Sequence, residues 1–122
     1  MRLIKAFVRR EKIDDVLWNL QGAGAPGITI SLVHGVGYGY ERHLAGLAPN
    51  DLSKTEEVCK VEVVCHNEQV DGLIGVLVTT ARTGHKGDGM AFVTPVERAI
   101  RIRTGEEGYQ ALERPSPPPT TA

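Results

Sequence analysis

VCKVEVVCHNEQVDGLIGVLVTTA, residues 58–81, carries two hydrophobic periods in succession. In residues 58–65, Val58, Val61 and Val63 interleave with Glu57, Lys60 and Glu62, the pattern of a strand with one buried face. In residues 68–81, Val70, Leu73, Ile74, Leu77 and Val78 recur at helical spacing. A strand followed directly by an amphipathic helix is half of a split β-α-β unit, and the same order occurs upstream. Residues 3–8 form a short apolar run with a charged entry. Within residues 12–24, Ile13, Val16, Leu17 and Leu20 fall on one helical face. Asp14 and Asp15 lie in the first turn, where the helix dipole favours anions, and Gly22 and Gly24 mark the end. Residues 27–36 alternate Ile28, Ile30 and Leu32 with Thr29 and Ser31, which predicts a second strand.

The remainder supplies loops and a last strand. From residue 35 to 55, Gly35, Gly37, Gly39, Gly46, Pro49, Asn50 and Asp51 break every period. So long a loop in a compact domain calls for a functional explanation. Residues 82–90 are a second glycine-rich loop, and residues 90–93 and 99–102 read as strand around Pro95. The order β-α-β-loop-β-α-β predicts an α+β, ferredoxin-like βαββαβ split sandwich over residues 1–108. Both helices would cover one sheet face, so self-association is the economical cover for the other. Residues 109–122, with Pro115, Pro117, Pro118 and Pro119, are expected to form a proline-rich tail without order.

Composition narrows the function classes. The 122 residues hold 14 Lys plus Arg against 15 Asp plus Glu, a balance that argues against nucleic-acid or basic membrane-surface binding. No run approaches the roughly 20 apolar residues that span a bilayer, and nothing resembles a secretory leader, so a cytoplasmic protein is expected. Cys59 and Cys65 would lie roughly 20 Å apart along one strand, too far to pair, and read as structural thiols.

Two segments could carry chemistry. In Thr83-Gly84-His85-Lys86-Gly87-Asp88-Gly89, three glycines in seven residues let backbone N–H groups line an anion nest, and Lys86 adds charge. A tight turn between helix and strand explains the glycines equally well. Arg101 and Arg103, if on a strand, project two permanently charged forks from one face, with Ile102 turned to the core. A solvated edge paired with Glu97, Glu106 or Glu107 is the plainer alternative. There is no Gly-x-Ser-x-Gly elbow, no His-Glu-x-x-His and no Cys-x-x-Cys, so neither a catalytic residue nor an enzyme is expected. His34 and His43 flank the long loop, but without a convergent carboxylate they do not make a metal site.

The run 80–84, then Gly87-Asp88-Gly89, Phe92-Val93, Arg98 and IRIRTGEE at 100–107 closely resembles the second half of PII signal-transduction proteins. Residues 12–16 and Gly35-Val36-Gly37 fit the first half, and the likeness covers residues 1–108. It implies a homotrimer with an adenine nucleotide (ATP, ADP or AMP) in each inter-subunit cleft. Thr83, Gly87, Asp88, Gly89 and Met90 of the 82–90 loop (the family's B-loop) would cradle phosphates. Gly35, Gly37, Glu62 and Val64 would line the cleft, and the neighbouring chain would add Ile28, Thr29, Arg101 and Arg103. The loop at 37–55, with Tyr38, Tyr40, Arg42 and Asp51, matches the T-loop that docks on a membrane transporter or metabolic enzyme.

The departures are as informative. Tyr38-Gly39 stands where the family has Arg-Gln, and Val58 where it has the lysine that pairs with 2-oxoglutarate, so sensing of that ligand is not expected. Asp51 replaces the uridylylated tyrosine. Met90 replaces a phosphate-contacting lysine, which shifts the balance from ATP toward ADP or AMP. The competing readings are a PII-like module responsive to bicarbonate or a metal such as Mg, linked to inorganic carbon or transport, and a ferredoxin-like enzyme or scaffold without nucleotide.

Overall fold

The computed structural model describes residues 1–37 and 55–113. Strands β1 (Arg2–Val8), β2 (Thr29–Gly35), β3 (Glu56–Cys65) and β4 (Ala91–Pro95) form one antiparallel sheet in the order β2-β3-β1-β4. Helices α1 (Ile13–Gly22) and α2 (Val70–Ala81) follow β1 and β3. This is the expected α+β, ferredoxin-like arrangement, with the first and third strands central.

The core lies between the helices and the two central strands. Ile4, Ala6 and Val8 of β1 and Cys59, Val61, Val63 and Cys65 of β3 meet Val16 and Leu20 of α1 and Leu73, Leu77 and Ala81 of α2. Period 2 in the strands and period 3.6 in the helices thus converge on one aliphatic layer. Burial pushes the Cys59 and Cys65 thiols up, partly offset at Cys59 by Arg10, so both stay protonated and weakly nucleophilic.

Helix α1 stops where its glycines said it would. Gly24 takes φ +87, the Ala25 N–H donates to the Leu20 carbonyl at 3.1 Å and the Gly24 N–H to Gln21 at 3.1 Å, a Schellman closure. Gln69, at the start of α2, donates to the Gly24 carbonyl at 3.1 Å and ties the two helices together.

The helices do not reach the sheet edges. Ile30 and Leu32 of β2 pair with buried Val61 and Cys59, yet are 49% and 57% exposed. On the opposite face, Phe92 pairs with Lys5 and packs edge-on against Phe7 with ring centroids 6.3 Å apart. Among the described residues no helix is long and apolar enough to cross a membrane.

One strand expectation fails. Residues 99–102 contribute only a single bridge, Ile100 to Glu107, and Ile102 is 98% exposed instead of facing the core. The Gly105 N–H donates to the Arg101 carbonyl at 2.7 Å, and the Arg101 N–H to Glu106 at 2.8 Å. Those bonds fold the segment into a tight reversal, with Gly105 at φ +75, before it can join the sheet. Order also continues past Gly108, because Gly108–Leu112 is a 3-10 turn.

Candidate functional site

The glycine loop is built around one carboxylate. Asp88 accepts from the Thr83 N–H at 2.9 Å, the Gly84 N–H at 2.9 Å and the Thr83 hydroxyl. Arg9 closes the other side, its Nε donating to Asp88 at 3.1 Å and its Nη2 to the Lys86 carbonyl at 2.8 Å. Gly84, Gly87 and Gly89 take φ of +85, +100 and +93, conformations that L residues avoid. At Gly89 a Cβ would sit 1.9 Å from the Phe7 carbonyl oxygen. The Phe7 N–H donates to the Met90 carbonyl at 2.9 Å, so the loop end is stitched to β1. Lys86 and His85 remain exposed on the loop surface.

Burial alone would raise the Asp88 pKa. The bonds from Thr83, Arg9 and Gly84 outweigh it and hold the carboxyl well below its ordinary 3.8. A depressed folded pKa means that the stabilisation is complete above 3.8 and is lost as pH falls through the lower folded value. Asp88→Ala should therefore cost about 2 kcal/mol at neutral pH, since four donors lose their acceptor. In urea unfolding the gap from wild type should hold from pH 8 to about 5 and narrow below about 4. A gap constant down to pH 2 would refute the clasp.

A second concavity, of about 720 Å³, lies on the sheet side away from the helices. Thr29, Glu62, Val64 and Arg101 line it, with Leu3 beneath and residues 111–113 at the rim. Thr29 and Glu62 are direct partners in the β2–β3 register. Lys60 and Glu62 form an ion pair at 3.4 Å. The Arg101 guanidinium donates to the carbonyls of Gln110 at 3.4 Å, Ala111 at 3.2 Å and Glu113.

The residues singled out in the sequence thus fall in two groups. Thr83, Gly87, Asp88, Gly89 and Met90 form or flank the loop, beside a smaller hollow of about 180 Å³ floored by Phe7, Val8 and Leu77. Thr29, Glu62, Val64 and Arg101 share the larger groove. The two concavities have no lining residue in common. Leu3 in one and Phe7 in the other are about 13 Å apart along β1. Ile28 is half-buried against the core, and Gly35 is buried at the end of β2, opposite Glu56. Gly37 adopts φ +87, Arg103 is exposed, and Val58 is 2% exposed in the interior. Tyr38, Gly39, Tyr40, Arg42 and Asp51 lie outside the described residues. Arg98, not Arg101 or Arg103, pairs with Glu107, at 2.8 Å.

Sequence reasoning missed Arg9, which is 79 positions from its partner Asp88. The signal was indirect: antiparallel pairing of β1 with β4 returns the end of β1 to the loop preceding β4. It also missed Tyr109, whose ring stacks on His66 with centroids 4.5 Å apart and planes 11° from parallel. Among the described residues no three His, Cys, Asp or Glu side chains converge as a metal site.

A four-strand, two-helix ferredoxin-like chain with a carboxylate-clasped glycine loop belongs to the class of small split β-α-β proteins. The family described as Nitrogen regulatory protein P-II matches residues 1–106. Curated proteins of that name are similar throughout. That of Nostoc punctiforme is 37% identical over 112 residues, covering 92% of this chain and 100% of the relative. Those of Pasteurella multocida and Haemophilus influenzae are 38% and 39% identical over 120 residues, with the same coverage. The chain belongs to the P-II family of nitrogen regulatory, signal-transduction proteins.

Proposed function

We propose that this chain is a cytoplasmic PII-type regulator that binds ATP, ADP or AMP in clefts between the subunits of a homotrimer. Through residues 37–55 it controls a membrane transporter or a metabolic enzyme, and it does not sense 2-oxoglutarate. The observation that carries the reading is the division of polar groups between two separate concavities of one chain. The glycine loop offers backbone N–H groups to an anion, and the Thr29–Glu62–Arg101 groove offers a cation and an acceptor. On a single chain these groups line separate concavities, and a second copy brings one of each together.

In that cleft the N–H groups of residues 86–89, with Gly87 and Gly89, cradle phosphates, and Arg101 and Arg103 of the neighbour neutralise them. Glu62 suits sugar or base donors rather than phosphate. The exposed Ile30, Leu32, Phe92 and Val93 supply apolar surface for assembly. Val58, 2% exposed, offers no cation to a dicarboxylate. Light scattering on the purified protein tests the assembly: the expected mass is three times the chain's 13.2 kDa, and a monomer at micromolar concentration overturns it.

A further inference from the structure

Arg101 is already engaged. Its guanidinium donates to three carbonyls of one short segment, those of Gln110, Ala111 and Glu113. That segment is anchored at its other end by Tyr109, stacked on His66 just beyond β3. The Gly108 N–H, bonded to the Ala99 carbonyl at 3.0 Å, fixes where the chain turns back. Ala111, Leu112 and Glu113 then form the rim of the groove that holds Thr29, Glu62 and Arg101. Backbone carbonyls are neutral acceptors, whereas a phosphate oxygen is charged and makes shorter, roughly twice as strong bonds with a guanidinium.

We infer that residues 108–113 are a strap that closes over Arg101 and must be displaced before an anionic ligand can reach it. The strap lowers the apparent affinity of the open groove by the fraction of time that it is closed. Its hold depends on an aromatic contact with one partner on each side, so the His66–Tyr109 stack sets the closed fraction. Identification of the anion as a nucleotide phosphate rests on the function proposed above; the strap itself does not.

The test uses the full-length chain. Tyr109→Ala removes the stack at a side chain that is 44% exposed, so the fold should survive, and Tyr109→Phe keeps the stack. Phenylglyoxal, which modifies accessible guanidinium groups, is applied to all three proteins, with Arg103 as the internal reference and peptide mass mapping as the readout. Calorimetry measures ADP binding in parallel. The expected result is a rise of about two- to tenfold in Arg101 modification in Tyr109→Ala, with ADP binding tightened by a similar factor and Tyr109→Phe behaving as wild type. Equal Arg101 modification in wild type and Tyr109→Ala overturns the strap, as does, where the wild type binds ADP, a rise in modification with that binding unchanged or weakened. A rise in modification in a protein that binds no nucleotide supports the strap and rejects the nucleotide reading.

Discussion

Gly89→Ala should lower the unfolding free energy by about 3 kcal/mol or more, one of the largest single-site effects available in this chain. Two costs combine. The backbone at φ +93 is one that a Cβ-bearing residue adopts at about 1–3 kcal/mol. The new Cβ would also lie 1.9 Å from the Phe7 carbonyl oxygen, a backbone atom of central strand β1 that has no side-chain freedom to yield. The Phe7 N–H bond to the Met90 carbonyl would be pushed apart by the same movement. At fixed protomer concentration the urea midpoint should fall by more than about 1 M. Gly84→Ala is the control: its φ is +85, but no atom lies within 4 Å of the added Cβ, so about 1 kcal/mol is expected. Equal midpoints for the two variants would mean that the loop is not packed against β1 as described.

The second large effect concerns binding. Gly87→Ala strains a loop residue held at φ +100, and Arg103→Ala deletes an exposed, permanently charged fork. Each should reduce nucleotide affinity by about ten- to a hundredfold, the worth of one or two charge-assisted phosphate contacts. The two defects should also complement. If each cleft takes its glycine loop from one chain and its arginines from the next, random mixed trimers leave about a quarter of clefts intact. Denaturing and refolding the two variants together should then restore a fraction of wild-type-affinity sites that neither variant shows alone. A mixture with no such sites would assign both residues to a single chain's site.

The fold was legible because its periods are clean. The valines of β3 and Leu73 and Leu77 of α2, spaced i and i+4, announce buried faces without reference to anything distant. Asp88 was legible as part of a loop but not as its clasp, because Arg9 reaches it only after β1 and β4 have paired. Ile102 misled for a physical reason: alternation of Arg, Ile, Arg and Thr satisfies a strand pattern, while the reversal is set by Gly105 and the backbone bonds around it. Gly108–Leu112 is too short to show a hydrophobic period, and its conformation is held by Tyr109 on His66 and by the grip of Arg101 on its carbonyls. Periodicity reports burial against the chain's own core. It is silent on contacts between a side chain and a remote backbone, and those organise both halves of the candidate site.

Calorimetric titration of the purified protein with ATP, ADP and AMP, each with and without 2-oxoglutarate and with and without bicarbonate, tests the central claim most directly. The expected result is saturable nucleotide binding, weaker for ATP relative to ADP or AMP than phosphate count alone would give, and indifferent to 2-oxoglutarate. A bicarbonate effect would add an inorganic-carbon input to the same cleft. Absence of binding by all three nucleotides, or ATP binding sharpened by 2-oxoglutarate, would contradict it.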